Sequence, residues 1–230
     1  FDHFSGFIAG GRSYFPMKKA SPSNMMQRNG KQVPETEIKY VTNWLTDEAM
    51  RLIDNRDSKK PFFMYLSYNA PHAPMHALEE DLELYKQIKN KGRRTYAAMV
   101  HSMDQNIGKL RAHLQEKQLT DNTIIIFASD NGGATSNSSD NGIYRGMKGS
   151  KWEGGHRVPG IIYWPKGGLT GGKKIDMLTS TLDYMATSLD VAGQPNIIEE
   201  LKLDGISLLP GLNKASTAKG HDTLYFRRSV

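Results

Sequence analysis

Three stretches of this chain hold residues able to do chemistry, and in each of them glycines or prolines shape the backbone. Ile124-Ile-Ile-Phe-Ala-Ser-Asp130-Asn131-Gly132-Gly133 ends an apolar run on a carboxylate and an amide, then turns on two glycines. Adjacent carboxylate and amide oxygens suit a hard cation such as Ca2+ or Mg2+; calcium takes roughly 6–8 oxygens, so further ligands must come from elsewhere. Asp, Asn and Gly are also turn residues, and a plain strand-to-turn junction is the other reading.

Asn69-Ala-Pro71-His72-Ala-Pro74 holds a histidine between two prolines. A histidine on so restricted a backbone can donate or accept a proton near neutral pH; local bonding within a turn is the alternative. Gly146-Met-Lys148-Gly-Ser-Lys151-Trp-Glu153-Gly-Gly-His156-Arg157-Val-Pro159 sets basic groups among glycines. That arrangement lets backbone and ammonium approach an oxyanion closely, or makes an exposed basic loop. It is not a phosphate-binding P-loop, because the GxxxxGK[ST] spacing is absent.

The elements that must position these residues follow from the apolar pattern. Pro61–Tyr68, Thr123–Ala128 and Gly160–Trp164 are unbroken apolar runs rich in β-branched and aromatic residues, which predicts strands covered on both faces. Between them lie helical patterns. Thr46 is placed to cap a helix running to Asp54. Arg94–Lys117 carries Val100, Met103, Ile107, Leu110 and Leu114 on one face. Leu178–Ala192 ends at Gly193 and Pro195. The alternation predicts an α/β fold with a largely parallel central sheet flanked by helices. Residues 10–39 and 132–157 show little periodicity and read as functional or mobile loops. The second follows a strand, where open α/β sheets bind ligands.

Composition narrows the function classes. At 230 residues the chain is long enough for one sizeable core. It contains no cysteine, which excludes disulfides, thiolate metal sites and a cysteine nucleophile within it. The net charge of +6 comes from scattered lysines and arginines, and no aromatic-interleaved basic stripe points to nucleic acid. No apolar run approaches the ~20 residues of a membrane span. The chain starts on Phe1 without a signal-peptide pattern, so it is expected to be part of a longer protein.

The order of the motifs carries more than any one of them. Pro-His-x-Pro after a strand, a long amphipathic helix, Ser-Asp-Asn-Gly-Gly, a Gly-Lys-Gly loop and Glu-Gly-Gly-x-Arg-x-Pro together resemble the type I sulfatases. Lys60-Pro61-Phe62-Phe63, Tyr96-Ala97-Ala98-Met99, Asp104, Asp121-Asn122-Thr123 and Asp204-Gly205-Ile206-Ser207-Leu208-Leu209-Pro210 extend the resemblance from Phe1 to about Tyr225. It implies an alkaline-phosphatase-like fold and hydrolysis of sulfate monoesters, on a sulfated saccharide or small molecule. The family's nucleophile is a formylglycine made from Cys or Ser in a C/S-x-P-x-R motif, which this chain does not contain. Residues Phe1–Phe7 resemble a segment that follows that motif in the family. The chain is therefore expected to be the C-terminal part, inactive by itself, with 1–193 as core and 194–230 opening a C-terminal subdomain.

By the same resemblance Asp130 and Asn131 would be ligands to Ca2+ rather than Mg2+. Lys148 would contact the sulfate and His72 the leaving-group side. His156 stands where many members carry an aliphatic residue, which leaves it as a substrate contact or a loop residue. Lys151 is a rival to Lys148. The resemblance implies export to a periplasmic, extracellular or lysosomal space. A phosphodiesterase or phosphonate hydrolase of the same superfamily and a non-catalytic pseudo-sulfatase are the alternatives.

Overall fold

A computed structural model describes residues 1–213 and 220–227, which fall into two compact units. The expected subdomain at 194–230 lies partly outside the described residues.

The first unit comprises residues 1–117 and 135–139. It opens with three two-residue strands, β1 (Ser5–Gly6), β2 (Gln27–Arg28) and β3 (Lys31–Gln32), in an antiparallel sheet of order β1-β2-β3. Three helices follow: α1 (Val41–Asp54), α2 (Glu79–Leu84) and α3 (Lys91–Glu116). Thr46 does not cap α1. The helix starts at Val41 with Tyr40 at the cap position, and Thr46 is a buried interior residue whose hydroxyl donates back to the Thr42 carbonyl at 2.9 Å. α3 has a side-chain cap, with Asn90 accepting from Arg93 N.

Its inward face is Ala98, Met99, Ser102, Asn106 and Leu114, so Leu114 alone of the expected apolar stripe is fully buried. Small and polar residues let α1 and α3 approach, and Asn106 donates across to Asn43 at 2.8 Å. Residues 10–39 are not a loose loop. Tyr14, Met26, Val33 and Ile38 are buried in one cluster with Tyr40, Val41, Trp44 and Leu45. The buried Arg12 guanidinium ties the segment together through Glu35 at 2.7 Å and the Asn24 carbonyl at 3.0 Å.

The second unit comprises residues 118–134 and 140–230. β4 (Ile125–Ala128) and β5 (Gly160–Tyr163) flank a one-turn helix, α4 (Glu153–His156). Then come α5 (Asp183–Val191), α6 (Asn196–Glu200) and α7 (Leu209–Asn213). α5 begins five residues later than its apolar pattern suggests. The Asp183 carboxylate accepts Ser180 N at 2.7 Å and folds the preceding residues into a turn.

The α/β character stands, but the strand arrangement departs from the expected parallel sheet. β4 and β5 pair with each other antiparallel, Ala128 opposite Gly160. Pro61–Tyr68 has no ladder partner among the described residues, and Phe63 and Tyr65 are largely exposed. A parallel pair needs a crossover, usually a helix, whereas residues 129–159 form a glycine-rich excursion that returns to the end it left. The strands are half-covered rather than sealed, with Ile161 exposed. This arrangement brings the two ends of the excursion, Ser129 and Pro159, to the same end of the β4–β5 ladder. Among the described residues no helix is long and apolar enough to cross a membrane.

Candidate active site

In the first unit the histidine sits on a turn clamped from below. His72 N donates to the Asn69 carbonyl at 2.8 Å. The hydroxyl of the fully buried Tyr14 donates to the carbonyls of Asn69 and His72 at 2.7 and 2.9 Å. Tyr40, also fully buried, donates to the His76 carbonyl at 3.0 Å, and the two phenols stack at 5.6 Å. Burial pushes the Tyr14 phenol up, and Tyr40 up to about 12, so both remain donors across the accessible pH range.

The His72 ring is exposed, with Nδ1 2.8 Å from the Ala73 carbonyl. A carbonyl only accepts, so Nδ1 carries the proton in the neutral ring and Nε2 is left open to solvent. Both polar atoms of the Asn69 side chain are sealed from solvent and lack a partner among the described residues.

In the second unit Asp130, Asn131, Lys148 and His156 belong to one interlocked set of turns. Gly132 N donates to the Gly155 carbonyl at 3.0 Å, Lys148 N to the Gly133 carbonyl at 3.2 Å, and Gly154 N to the Arg145 carbonyl at 2.8 Å. The glycines are there for space. A Cβ at Gly132 would lie 1.9 Å from the Gly154 oxygen, one at Gly154 2.4 Å from the Gly146 oxygen, and one at Gly155 2.2 Å from the Ser150 oxygen. The backbone of the Lys148 loop is thus laid directly on the turn after β4.

Asn141 braces the same contact: its Oδ1 accepts Gly133 N at 2.8 Å, and its Nδ2 donates to the carbonyls of Gly133 and Gly146 at 3.0 and 3.2 Å. The sequence reading passed over Asn141, because Asp140-Asn141-Gly142 looks like any polar turn.

The functional groups on this frame are open. The Asp130 carboxylate is exposed and makes no hydrogen bond or ion pair among the described residues. Asn131 donates Nδ2 to the Gly132 carbonyl at 2.9 Å, which leaves Oδ1 available. These two hard oxygens fit a divalent cation as part of a coordination shell. No group of three or more His, Cys, Asp or Glu able to hold a metal occurs among the described residues. Lys148 and Lys151 are both exposed and free of carboxylate partners among the described residues. Only Lys148 is pinned at its backbone to the turn that follows Asp130.

Cation and ring stacks surround the loop. The Arg145 guanidinium lies 4.0 Å over Trp152, Arg157 lies 4.7 Å over Tyr144, and the His156 imidazole stacks on Phe226 at 3.7 Å. The surface depressions beside Glu79 and Arg94 in the first unit and beside Leu182 and Lys202 in the second hold none of the candidate residues.

The Sulfatase family model matches residues 1–194. "Uncharacterized sulfatase YdeN" of Escherichia coli is 38% identical over 97% of this chain and 39% of its own length. Mouse arylsulfatase J is 30% identical over 98% of this chain and 38% of its own. The crystal structure of Ps i-CgsB in complex with k-i-k-neocarrahexaose superposes with a TM-score of 0.85 at 39% identity, over 94% of this chain and 50% of that one. The chain therefore spans about two-fifths of the curated relatives' length. The fold is the alkaline-phosphatase-like α/β fold of these solved neighbours. With the family model matching most of its length, this chain belongs to the sulfatase family.

Proposed function

We propose that the complete protein hydrolyses sulfate monoesters of a sulfated saccharide, with this chain supplying sulfate-binding, metal-binding and proton-donating groups. The observation that carries this is the mounting of Asp130, Asn131 and Lys148 on one close-packed set of turns, with the Asp130 carboxylate, the Asn131 Oδ1 and the Lys148 ammonium without partners among the described residues.

Lys148 binds the sulfate oxygens and offsets their charge through the transition state. His72, as the imidazolium, donates from Nε2 to the ester oxygen as the S–O bond breaks, so the sugar leaves as a neutral alcohol. Asp130 and Asn131 would hold calcium, which supplies charge neutralisation when bound. The nucleophile is taken to be a formylglycine from a C/S-x-P-x-R segment elsewhere in the complete protein. The site of action is an exported compartment.

The test is sulfate release by the complete protein from a sulfated oligosaccharide, k-i-k-neocarrahexaose being the first choice, in calcium. Lys148→Ala should lower kcat/KM by about 10²–10³, the usual range for one lost oxyanion donor. Asp130→Ala should sharply weaken calcium binding and activity together, and unchanged calcium dependence would mean that the strand end is only a turn. The 230-residue chain alone should release no sulfate, because removing a covalent enzyme's nucleophile costs on the order of 10⁶ in rate. Turnover of phosphodiesters or phosphonates in place of sulfate esters would favour the superfamily alternative. Saccharide binding without any hydrolysis would favour a pseudo-sulfatase.

A further inference from the structure

The His156–Phe226 stack joins a candidate substrate residue to a distant part of the second unit. His156 closes α4, whose Gly154 and Gly155 are packed against residues 145–150, so its backbone has no freedom. Its ring has no hydrogen bond among the described residues; what it has is Phe226, parallel within 11° and 3.7 Å between centroids. Phe226 remains 51% exposed after that contact. A ring placed for core burial would be covered on both faces. This one covers a face of His156, whose residue stays partly exposed.

The segment that delivers Phe226 is anchored. His221 N donates to the Leu178 carbonyl at 2.9 Å, and its Nε2 lies 2.7 Å from Oδ1 of the fully buried Asp183. That carboxylate is itself held by Ser180 N and Ile206 N. At Gly220 a Cβ would come within 2.2 Å of the Leu178 oxygen, so the chain lies flat on its neighbour there.

We propose that Phe226 is a positioning residue for substrate recognition: residues 220–227 hold its ring on one face of His156 and fix the imidazole edge toward a hydroxyl or sulfate oxygen of a sulfated saccharide. This rests on the proposed sulfatase reading, in which His156 contacts substrate. Stacking removes the rotamer freedom that an exposed histidine would otherwise lose on binding.

The experiment uses the complete protein, with the sulfated hexasaccharide and a small aryl sulfate as probes. Phe226→Ala should raise KM for the oligosaccharide about three- to tenfold with a much smaller change in kcat, and the aryl sulfate should register far less of it. Phe226→Trp, which keeps a stacking face, should restore KM. In the NMR spectrum the His156 Cε1–H resonance should lose its ring-current shift in Phe226→Ala and keep one in Phe226→Trp. His156→Ala should raise the same KM, and adding Phe226→Ala to it should cost nothing more. An unchanged oligosaccharide KM in either single variant, or equal losses on both substrates, overturns the inference while sulfate release by the parent protein leaves the sulfatase reading standing. Absence of sulfate release by the parent protein overturns that reading itself.

Discussion

The two units hold their candidate residues by different physics. The His72 turn rests on a hydrophobic core: ten buried residues in one cluster, with two tyrosine hydroxyls reaching up to three backbone carbonyls. The Lys148 loop has no such foundation. The buried apolar cluster of its unit is Leu169, Leu208 and Leu212, and the loop is held by backbone packed on backbone at glycines. A fully buried aliphatic or aromatic side chain contributes about 1.5–3 kcal/mol, so the first unit has far more apolar stabilisation behind its histidine. Glycine packing stabilises little but fixes position tightly, and it leaves the Lys148 and Lys151 ammonium groups exposed and without carboxylate partners among the described residues. An anionic substrate needs that arrangement, because cations tied into a core would be neutralised before it arrived.

The sharpest way to break the contrast is at the glycines. Gly155→Val in the complete protein should lower kcat/KM for sulfate release by at least about a hundredfold, the cost of an ångström-scale misplacement of a reacting group. Thermal unfolding of the first unit should hardly move. Near-normal turnover would show that the loop is positioned by something other than close backbone contact.

The next effect belongs to the first unit. Glu48 is buried, and burial by itself would raise its carboxyl. Hydrogen bonds from Arg28, Arg51 and Ser5 more than offset that and bring it down to about 2. A carboxyl depressed from its ordinary value near 4.5 stabilises the fold above that value, and the contribution drains away as pH falls toward 2. Glu48→Gln should cost about 2 kcal/mol at pH 7, less than a sealed ion pair would, because both guanidinium groups keep more than a third of their exposure. The cost should shrink below pH 4 in denaturant titrations. A pH-independent difference would mean that the carboxylate charge contributes nothing.

What could be read from the sequence, and what could not, follows the same division. The Asp130 turn, the His72 turn and the Lys148 loop were visible because local residue types made them: apolar runs ending on Asp-Asn-Gly-Gly, a histidine between prolines, lysine among glycines. The supports were not. Tyr14 and Arg12 lie in a stretch without periodicity, since strands of two residues are too short to print a pattern. The inward face of α3 was misjudged because Ser102 and Asn106, polar in composition, face α1 while apolar neighbours lie half-open. The antiparallel β4–β5 pairing depends on where the intervening loop returns, which strand composition does not encode. The stack of His156 on Phe226 joins residues that no local rule links.

Smaller effects separate the two supports by the kind of activity they disturb. Tyr14→Phe removes the hydroxyl beneath the His72 turn, leaving the His72 carbonyl without its donor and the Asn69 carbonyl with His72 N alone, a loss of about 1–2 kcal/mol in stability. If His72 protonates the leaving oxygen, the variant should lose more rate on a sugar sulfate, whose alkoxide leaves poorly, than on an aryl sulfate. Equal losses on the two would separate Tyr14 from proton transfer.

Asn141→Ala is the smallest of these changes and tests the opposite support. The side chain accepts one hydrogen bond and donates two, all between the turn after Asp130 and the Lys148 loop. The donation to Gly146 is exposed, so water replaces part of what is lost, and the net cost should be about 1 kcal/mol. Loosening the loop moves the sulfate-binding ammonium, which every ester needs whatever its leaving group. The expected result is a drop of about fivefold in kcat/KM, equal on sugar and aryl sulfates, in contrast to Tyr14→Phe. Asn141→Asp adds the direction of the bonding. An aspartate still accepts from Gly133 N but cannot donate to the two carbonyls, and its charge sits against their oxygens. If the donated bonds hold the loop, the aspartate variant should be no better than the alanine one. Recovery of activity with aspartate would mean that the bond from Gly133 N alone holds the turn, with the Lys148 loop fixed by its glycines.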